Sequence, residues 1–160
     1  MNADVRGKVA IEESVICMVE ASLYESRSGA VEGTTCSMTL ESGRSVRIRP
    51  AFRANLESLD VAGQENGAMK LLAGGNGSFT FSDESNRTLF EGSWKAEKEN
   101  VFVLVRNHIV ADLSVEASFW GSGKEHFEAC SIAGTVVLKQ AGFDASGLGI
   151  FKLAGTGTIS

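Results

Sequence analysis

The sequence predicts an all-β protein, an antiparallel closed barrel of about eight strands. Two observations predict it. Eight or nine short segments alternate apolar and polar residues, and clusters of Gly or Asn/Asp/Ser separate them. The pattern runs to the C-terminus. Phe79-Thr80-Phe81 leads through Asp83-Glu84-Ser85-Asn86 into Leu89-Phe90-Glu91-Gly92-Ser93-Trp94, which is strand, turn and strand.

The elements follow in order. Residues 1–8 are polar and read as a flexible N-terminus. Val9 to Tyr24 fits two patterns: Ile11, Val15, Met18 and Val19 make a helical face, and Cys17, Val19, Ala21 and Leu23 a strand face. The β character of the rest favours a strand from about Val15 to Glu25, closed by Ser26-Arg27-Ser28-Gly29. Thr34 to Leu40 alternates, Glu41-Ser42-Gly43-Arg44 turns, and Ser45 to Arg49 returns as a hairpin. Pro50 is expected to end that strand. In Ala51 to Gly67, Phe52, Leu56 and Leu59 stand at near-helical spacing, which predicts a helical turn or a long crossover loop. Gly74-Gly75-Asn76-Gly77 predicts a turn, and Lys95 to Asn100 a charged hairpin tip. Val101 to Val105 is apolar on both faces, as in a strand covered on both sides. Ala111 to Phe119 alternates, Phe127 to Lys139 follows, and Ile150 to Ile159 is the final strand. No fixed-period repeat or linker interrupts the chain, so residues 1–160 read as one domain.

Composition bounds the function classes. At 43% hydrophobic and 22% charged, the chain is far from the disordered class. A net charge of −5 disfavours nucleic acid and anionic lipid as partners. Arg44, Arg47, Arg49 and Arg53 cluster, with Arg47 and Arg49 on the strand face opposite Val46 and Ile48; a solvated face is the expectation. No basic region leads into an apolar core at the N-terminus, and no apolar run is long enough for a membrane helix, so a cytoplasmic location without membrane contact is expected. Cys17, Cys36 and Cys130 are odd in number and widely spaced. They make neither a disulfide framework nor a zinc site and are expected reduced and mostly buried.

No strong catalytic or metal signature is present, so candidates come from their place on strands. In a small barrel the inward residues pack the core or line a cavity. On the first strand the face Ile16, Met18, Glu20, Ser22 and Tyr24 is mixed, as a ligand cavity requires. A carboxylate within it suits acid–base work through a raised pKa; on an exterior face it would simply stand in water. His126, Glu128 and Cys130 lie at alternate positions, so on a strand they share a face and Glu128 could orient the His126 imidazole. Same-face neighbours stand roughly 7 Å apart, which leaves Cys130 too far along to be the nucleophile partner of His126; a solvent-facing pair beside Lys124 and Glu125 is the plainer reading. His108 shares a face with Phe102, Leu104, Arg106 and Val110, and reads as a core or rim histidine or a ligand contact. Trp94 and Trp120 stand at strand ends, Phe90 on the Trp94 face and Ser118 on the Trp120 face. They pack a core or form an aromatic wall for a flat ligand. No metal and no cofactor are implied.

The segment Ser146-Gly147-Leu148-Gly149-Ile150-Phe151-Lys152-Leu153-Ala154-Gly155-Thr156-Gly157 resembles the G-x-G-x-F-x-x-A-x-G-x-G signature of the allene-oxide-cyclase-like and dirigent-like barrels. Gly147, Gly149, Phe151, Ala154, Gly155 and Gly157 match, with Phe151 one residue late. Gly77-Ser78-Phe79-Thr80-Phe81 followed by Leu89-Phe90-Glu91-Gly92 looks like an earlier hairpin of the same families. The resemblance implies an eight-stranded antiparallel barrel, often trimeric, with a hydrophobic pocket in which reactive small molecules are folded toward ring closure or coupling, mostly by shape. Some members use an acidic residue in the first strand; Glu20 lies in that strand here, although no motif around it matches.

The expected function is therefore a small-molecule-binding barrel, a homo-oligomeric cyclase or isomerase acting on an apolar substrate by positioning. Glu20 would steer a proton or polar group with help from Tyr24 or the His126–Glu128 pair, and Met18, Phe90, Trp94, His108 and Trp120 would line the pocket. A carrier or sensor of an apolar ligand, and a structural oligomer with a filled barrel, are the alternatives.

Overall fold

The computed structural model describes the backbone of residues 5–22, 28–65, 68–96, 100–105, 108–109, 114–143 and 149–160, and the side chains at 5–17, 30–53, 75–96, 115–139, 141 and 150–160. Its strands are β1 (Gly7–Ser22), β2 (Ser28–Gly33), β3 (Cys36–Leu40), β4 (Ser45–Glu65), β5 (Ala68–Ser82), β6 (Thr88–Ala96), β7 (Asn100–Val105), β8 (His108–Ile109), β9 (Ser114–Gly123), β10 (Ser131–Phe143) and β11 (Gly149–Ile159). Every pairing is antiparallel, and the ladder β1-β3-β4-β5-β6-β9-β10-β11 returns to β1. This is the eight-stranded closed barrel expected. Successive strands share two of its eight places: β2 continues β3 between β1 and β4, and β7 continues β6 along β5. β8 is the extra strand, paired to β7.

Bulges set which residues face inward. One extra residue on β1 shifts its register against β11 between Ile11 and Ser14, so Val9, Ile11, Ser14 and Ile16 are all buried while Glu12 and Glu13 are exposed. The same happens on β6, where the shift before Phe90 buries Leu89 and Phe90 together.

Several expectations change. β1 begins at Gly7, paired with Ile159, and Val5 just before it is buried; the start expected near Val15 was too late because the Glu12–Glu13 bulge breaks strict alternation. β2 falls where a turn was expected at its beginning. Pro50 does not end β4. It stands opposite the Thr34–Thr35 break, where β4 changes partner from β3 to β2, so its missing N–H leaves no gap in a ladder. β4 runs on to Glu65 in place of a helical turn or crossover, with register shifts after Leu56 and Val61 that produce the near-helical spacing. The glycines at 74, 75 and 77 lie inside β5 and are not a turn. Lys95 to Asn100 is no hairpin tip, since β6 and β7 run in one direction along one partner. Strand β10 starts at Ser131 and not at Phe127, because a 3-10 turn occupies Glu125–Phe127.

Two hairpins carry the expected turn chemistry. At Leu40–Arg44 the Gly43 N–H donates to the Leu40 carbonyl at 2.9 Å, and Gly43 has φ +92°, which favours glycine. Between β5 and β6 the Asp83 carboxylate accepts the backbone N–H groups of Ser85 and Arg87, each at 2.9 Å, and the Arg87 Nε at 3.0 Å. These bonds hold the Asp83 carboxyl below the usual carboxylate range, the Arg87 backbone N–H acting most strongly. The arginine face of β4 is exposed at Arg47 while Ile48 is fully buried. Arg47 Nε donates to Glu84 at 3.3 Å and Arg49 to Asn86 at 3.1 Å, tying the face to that turn.

Candidate functional site

The described interior is packed by aromatic rings. Phe52, Phe79, Phe81 and Phe119 form one cluster, with the Phe79 ring centroid 4.9 Å from Phe81 and 5.3 Å from Phe119. Phe90 stacks on Phe127 at 4.7 Å, both almost wholly buried. Glycines make room for these rings: Gly92 and Gly121 pair across β6–β9, and Gly134 and Gly157 across β10–β11. A Cβ on Gly121 would land on the Glu91 carbonyl oxygen, and one on Gly134 on the Thr156 carbonyl oxygen. Backbones approach this closely only without side chains.

Chemistry is sparse in this interior. Among the described residues Ser14 is the buried polar side chain, and its Oγ donates to the Thr34 carbonyl at 2.6 Å, closing the β1 bulge against the Thr34–Thr35 break. No buried side-chain N or O atom among the described residues lacks a partner. The Cys36 thiol is buried, and burial, with Glu12 nearby, pushes its pKa up, which keeps it protonated and unreactive. Cys130 is buried as well and Cys17 exposed; none of the three forms a disulfide. Among the described residues no group of three or more His, Cys, Asp or Glu is placed to hold a metal ion. No helix among them is long and apolar enough to cross a membrane.

The sequence-predicted residues scatter. Phe90 belongs to the packed core beside Phe127. Trp94 is half-buried against that core, opposite Gly77 on β5, and its Nε1–H donates to the Arg53 carbonyl on β4 at 2.8 Å. The indole thus reaches over Gly77, whose missing side chain leaves the path open. Trp120 is 47% exposed on the outer face. His126 and Glu128 do not share a strand face: His126 lies in the 3-10 turn, Glu128 follows it, both are exposed, and Ala129 has φ +63°. The turn instead buries Phe127.

On β1 the alternation linking Ile16, Met18 and Glu20 is reversed by one extra residue between Met18 and Glu20. Register sets Met18 in line with Val31, Phe52 and Phe79, a row of the inner face. It sets Glu20 in line with Ala30, Arg53 and Ser78, a row of the outer face. The side chains of Met18 and Glu20 lie outside the described ones. Tyr24 lies outside the described residues altogether. His108 pairs with Val105 in the β7–β8 hairpin, and its side chain is also outside the described set, as are those of the doubly apolar Val101–Val105 run.

One surface feature was not anticipated. The outer face of β6, β9 and β10 holds an open depression of about 450 Å³ beside Trp120. It is flanked by Ser93 and Ala133, which pair directly with Trp120, and by Glu91, Ser122 and Ser131 in the adjoining row. The signal was the run of small polar residues around a tryptophan at outward positions. It became legible only once the register fixed Trp120 outside.

No family model matches the chain, and no curated protein and no solved structure matches it.

Proposed function

We propose that the barrel binds an apolar small molecule in the end away from the Phe90–Phe127 plug. The supporting observation is the asymmetry of the closed barrel. One end is sealed by Val5, Leu89, Phe90, Phe127, Ile132 and Ile159, all at most 2% exposed, and above them the phenylalanine cluster leaves no charged side chain in the described interior. Past the last β2–β4 rung at Ser28–Asn55, β4 and β5 continue together to Glu65–Ala68, with β7 on the other side of β5. The period of two along β5 puts the rows Val61–Leu71–Phe102 and Gln64–Met69–Leu104–Ile109 on the face that carries Phe79. An eight-stranded barrel is wide enough to be filled by side chains or to hold one small ligand. The filled tiers at one end support entry from the other, where the Phe79 face of β5 continues through Leu71 and Met69.

The finer reading, a cyclase or isomerase that folds a reactive substrate by shape, rests on the resemblance to the allene-oxide-cyclase-like and dirigent-like barrels. Carriage without chemistry is favoured over it by the outer-face row of Glu20. The proposed protein is a homo-oligomer with no nucleic-acid or membrane partner. A cytoplasmic location fits three cysteines that form no disulfide.

Native mass spectrometry of protein purified from its own host tests the binding, with cis-parinaric acid as the fluorescent probe. One retained apolar molecule per subunit is expected, and Leu71→Arg should abolish probe binding while the β circular-dichroism spectrum persists. Probe binding unchanged by Leu71→Arg would overturn the reading. Incubating the purified protein with the identified molecule separates the two forms: an enzyme converts it, and a carrier returns it unchanged. A monomer at every concentration in sedimentation would remove the oligomer.

A further inference from the structure

The outer face of the barrel carries an open depression beside Trp120. Trp120 is the most exposed large hydrophobic side chain among the described residues. Its cross-strand neighbours are Ser93 on β6 and Ala133 on β10; the next row is Glu91, Ser122 and Ser131, and the row on the other side Lys95, Ser118 and Thr135. A half-exposed indole thus stands among short, hydroxyl-bearing side chains that leave its ring accessible. The Gly92–Gly121 contact draws β6 and β9 together behind it, and the depression of about 450 Å³ lies over that contact. It is shallow and open, a surface across which a ring can lie. Glu91 borders it, with Lys124 Nζ 3.4 Å from its Oε1.

We propose that this face is a carbohydrate-binding platform centred on Trp120. A pyranose ring has a C–H face and an equatorial belt of hydroxyls. The C–H face suits the electron-rich face of an indole. The hydroxyl belt suits serine hydroxyls, which both donate and accept, and a carboxylate that accepts from two neighbouring hydroxyls. The small flanking residues argue against a second copy of the chain as occupant. A stable protein interface buries on the order of 1,000 Å² or more around several large anchors, and here one tryptophan stands among serine, glycine and alanine. Nucleic acid is disfavoured because neither arginine nor lysine lines the depression and the net charge is −5.

The test uses the full chain against a printed glycan array and a panel of neutral soluble oligosaccharides (glucan, xylan, mannan and chitin fragments), read by tryptophan fluorescence and calorimetry. Binding with a blue shift of the emission is expected. Trp120→Ala should weaken it more than about tenfold, Trp120→Phe less, and Glu91→Gln measurably. Ser131→Arg, which places a long side chain in the depression and leaves Trp120 in the sequence, should block binding in a folded barrel. Trp94→Phe should leave the fluorescence shift in place. Absence of binding to every glycan, or binding unaffected by both Trp120→Ala and Ser131→Arg, overturns the proposal. Concentration-dependent self-association abolished by Trp120→Ala also overturns it, in favour of an interface between copies.

Discussion

Asp83 shows how one side chain can decide a turn. Its carboxylate gathers three N–H donors from Ser85 and Arg87, and Asn86 beside it takes the left-handed conformation at φ +63°. Because folding lowers this carboxyl's pKa, the stability it contributes is present above the unfolded aspartate pKa and lost as pH falls through the folded one. Asp83→Asn keeps an acceptor and removes the charge. Urea denaturation should therefore give a lower midpoint for the variant at neutral pH, with the gap between the two proteins narrowing as pH falls below the unperturbed aspartate value of about 3.9. A gap unchanged at low pH would mean the charge is not what Asp83 supplies.

At the scale of the element, glycines and bulges matter more than propensity. The Gly92–Gly121 and Gly134–Gly157 pairs let neighbouring strands approach where Phe79 and Phe119 fill the interior. Gly121→Ala adds one methyl group, and that methyl meets the Glu91 carbonyl on the adjacent strand. Backbone cannot give way as a flexible side chain can, so the expected cost is about 1–3 kcal/mol. Gly43→Ala meets nothing within 4 Å and would be strained only through its positive φ. Thermal melts of the two variants separate a steric requirement from a conformational one.

Bulges explain why elements read from alternation were misplaced. At Glu12–Glu13, Leu89 and the residue after Met18, one extra residue moves all that follows to the other face. Nothing in the residue types at those positions announces it. The pairing partner decides, and on β1 the partners are β11, β3 and β2.

For the whole molecule, the phenylalanine cluster is the keystone of closure, since Phe52, Phe79, Phe81 and Phe119 come from three strands of the ring. Phe79 touches the other three and is 1% exposed. Phe79→Ala should cost roughly 3–5 kcal/mol, measured by chemical denaturation. A much smaller loss would mean that the interior collapses onto the gap, and that packing there is looser than these ring contacts indicate.

The period-2 alternation, the Asp83–Asn86 and Glu41–Arg44 turns and the apolar inventory determined an antiparallel barrel, because local hydrogen bonding and side-chain patterning act over a few residues. They also placed Phe79 and Phe81 together on one strand. Which face each residue occupies was decided by the tertiary structure. Trp120 outside, Phe90 in the plug and Glu20 in the row of Arg53 follow from register, while His126 and Glu128 are exposed by the 3-10 turn between β9 and β10. Register is set by pairing between strands far apart in sequence, and a single inserted residue reverses it.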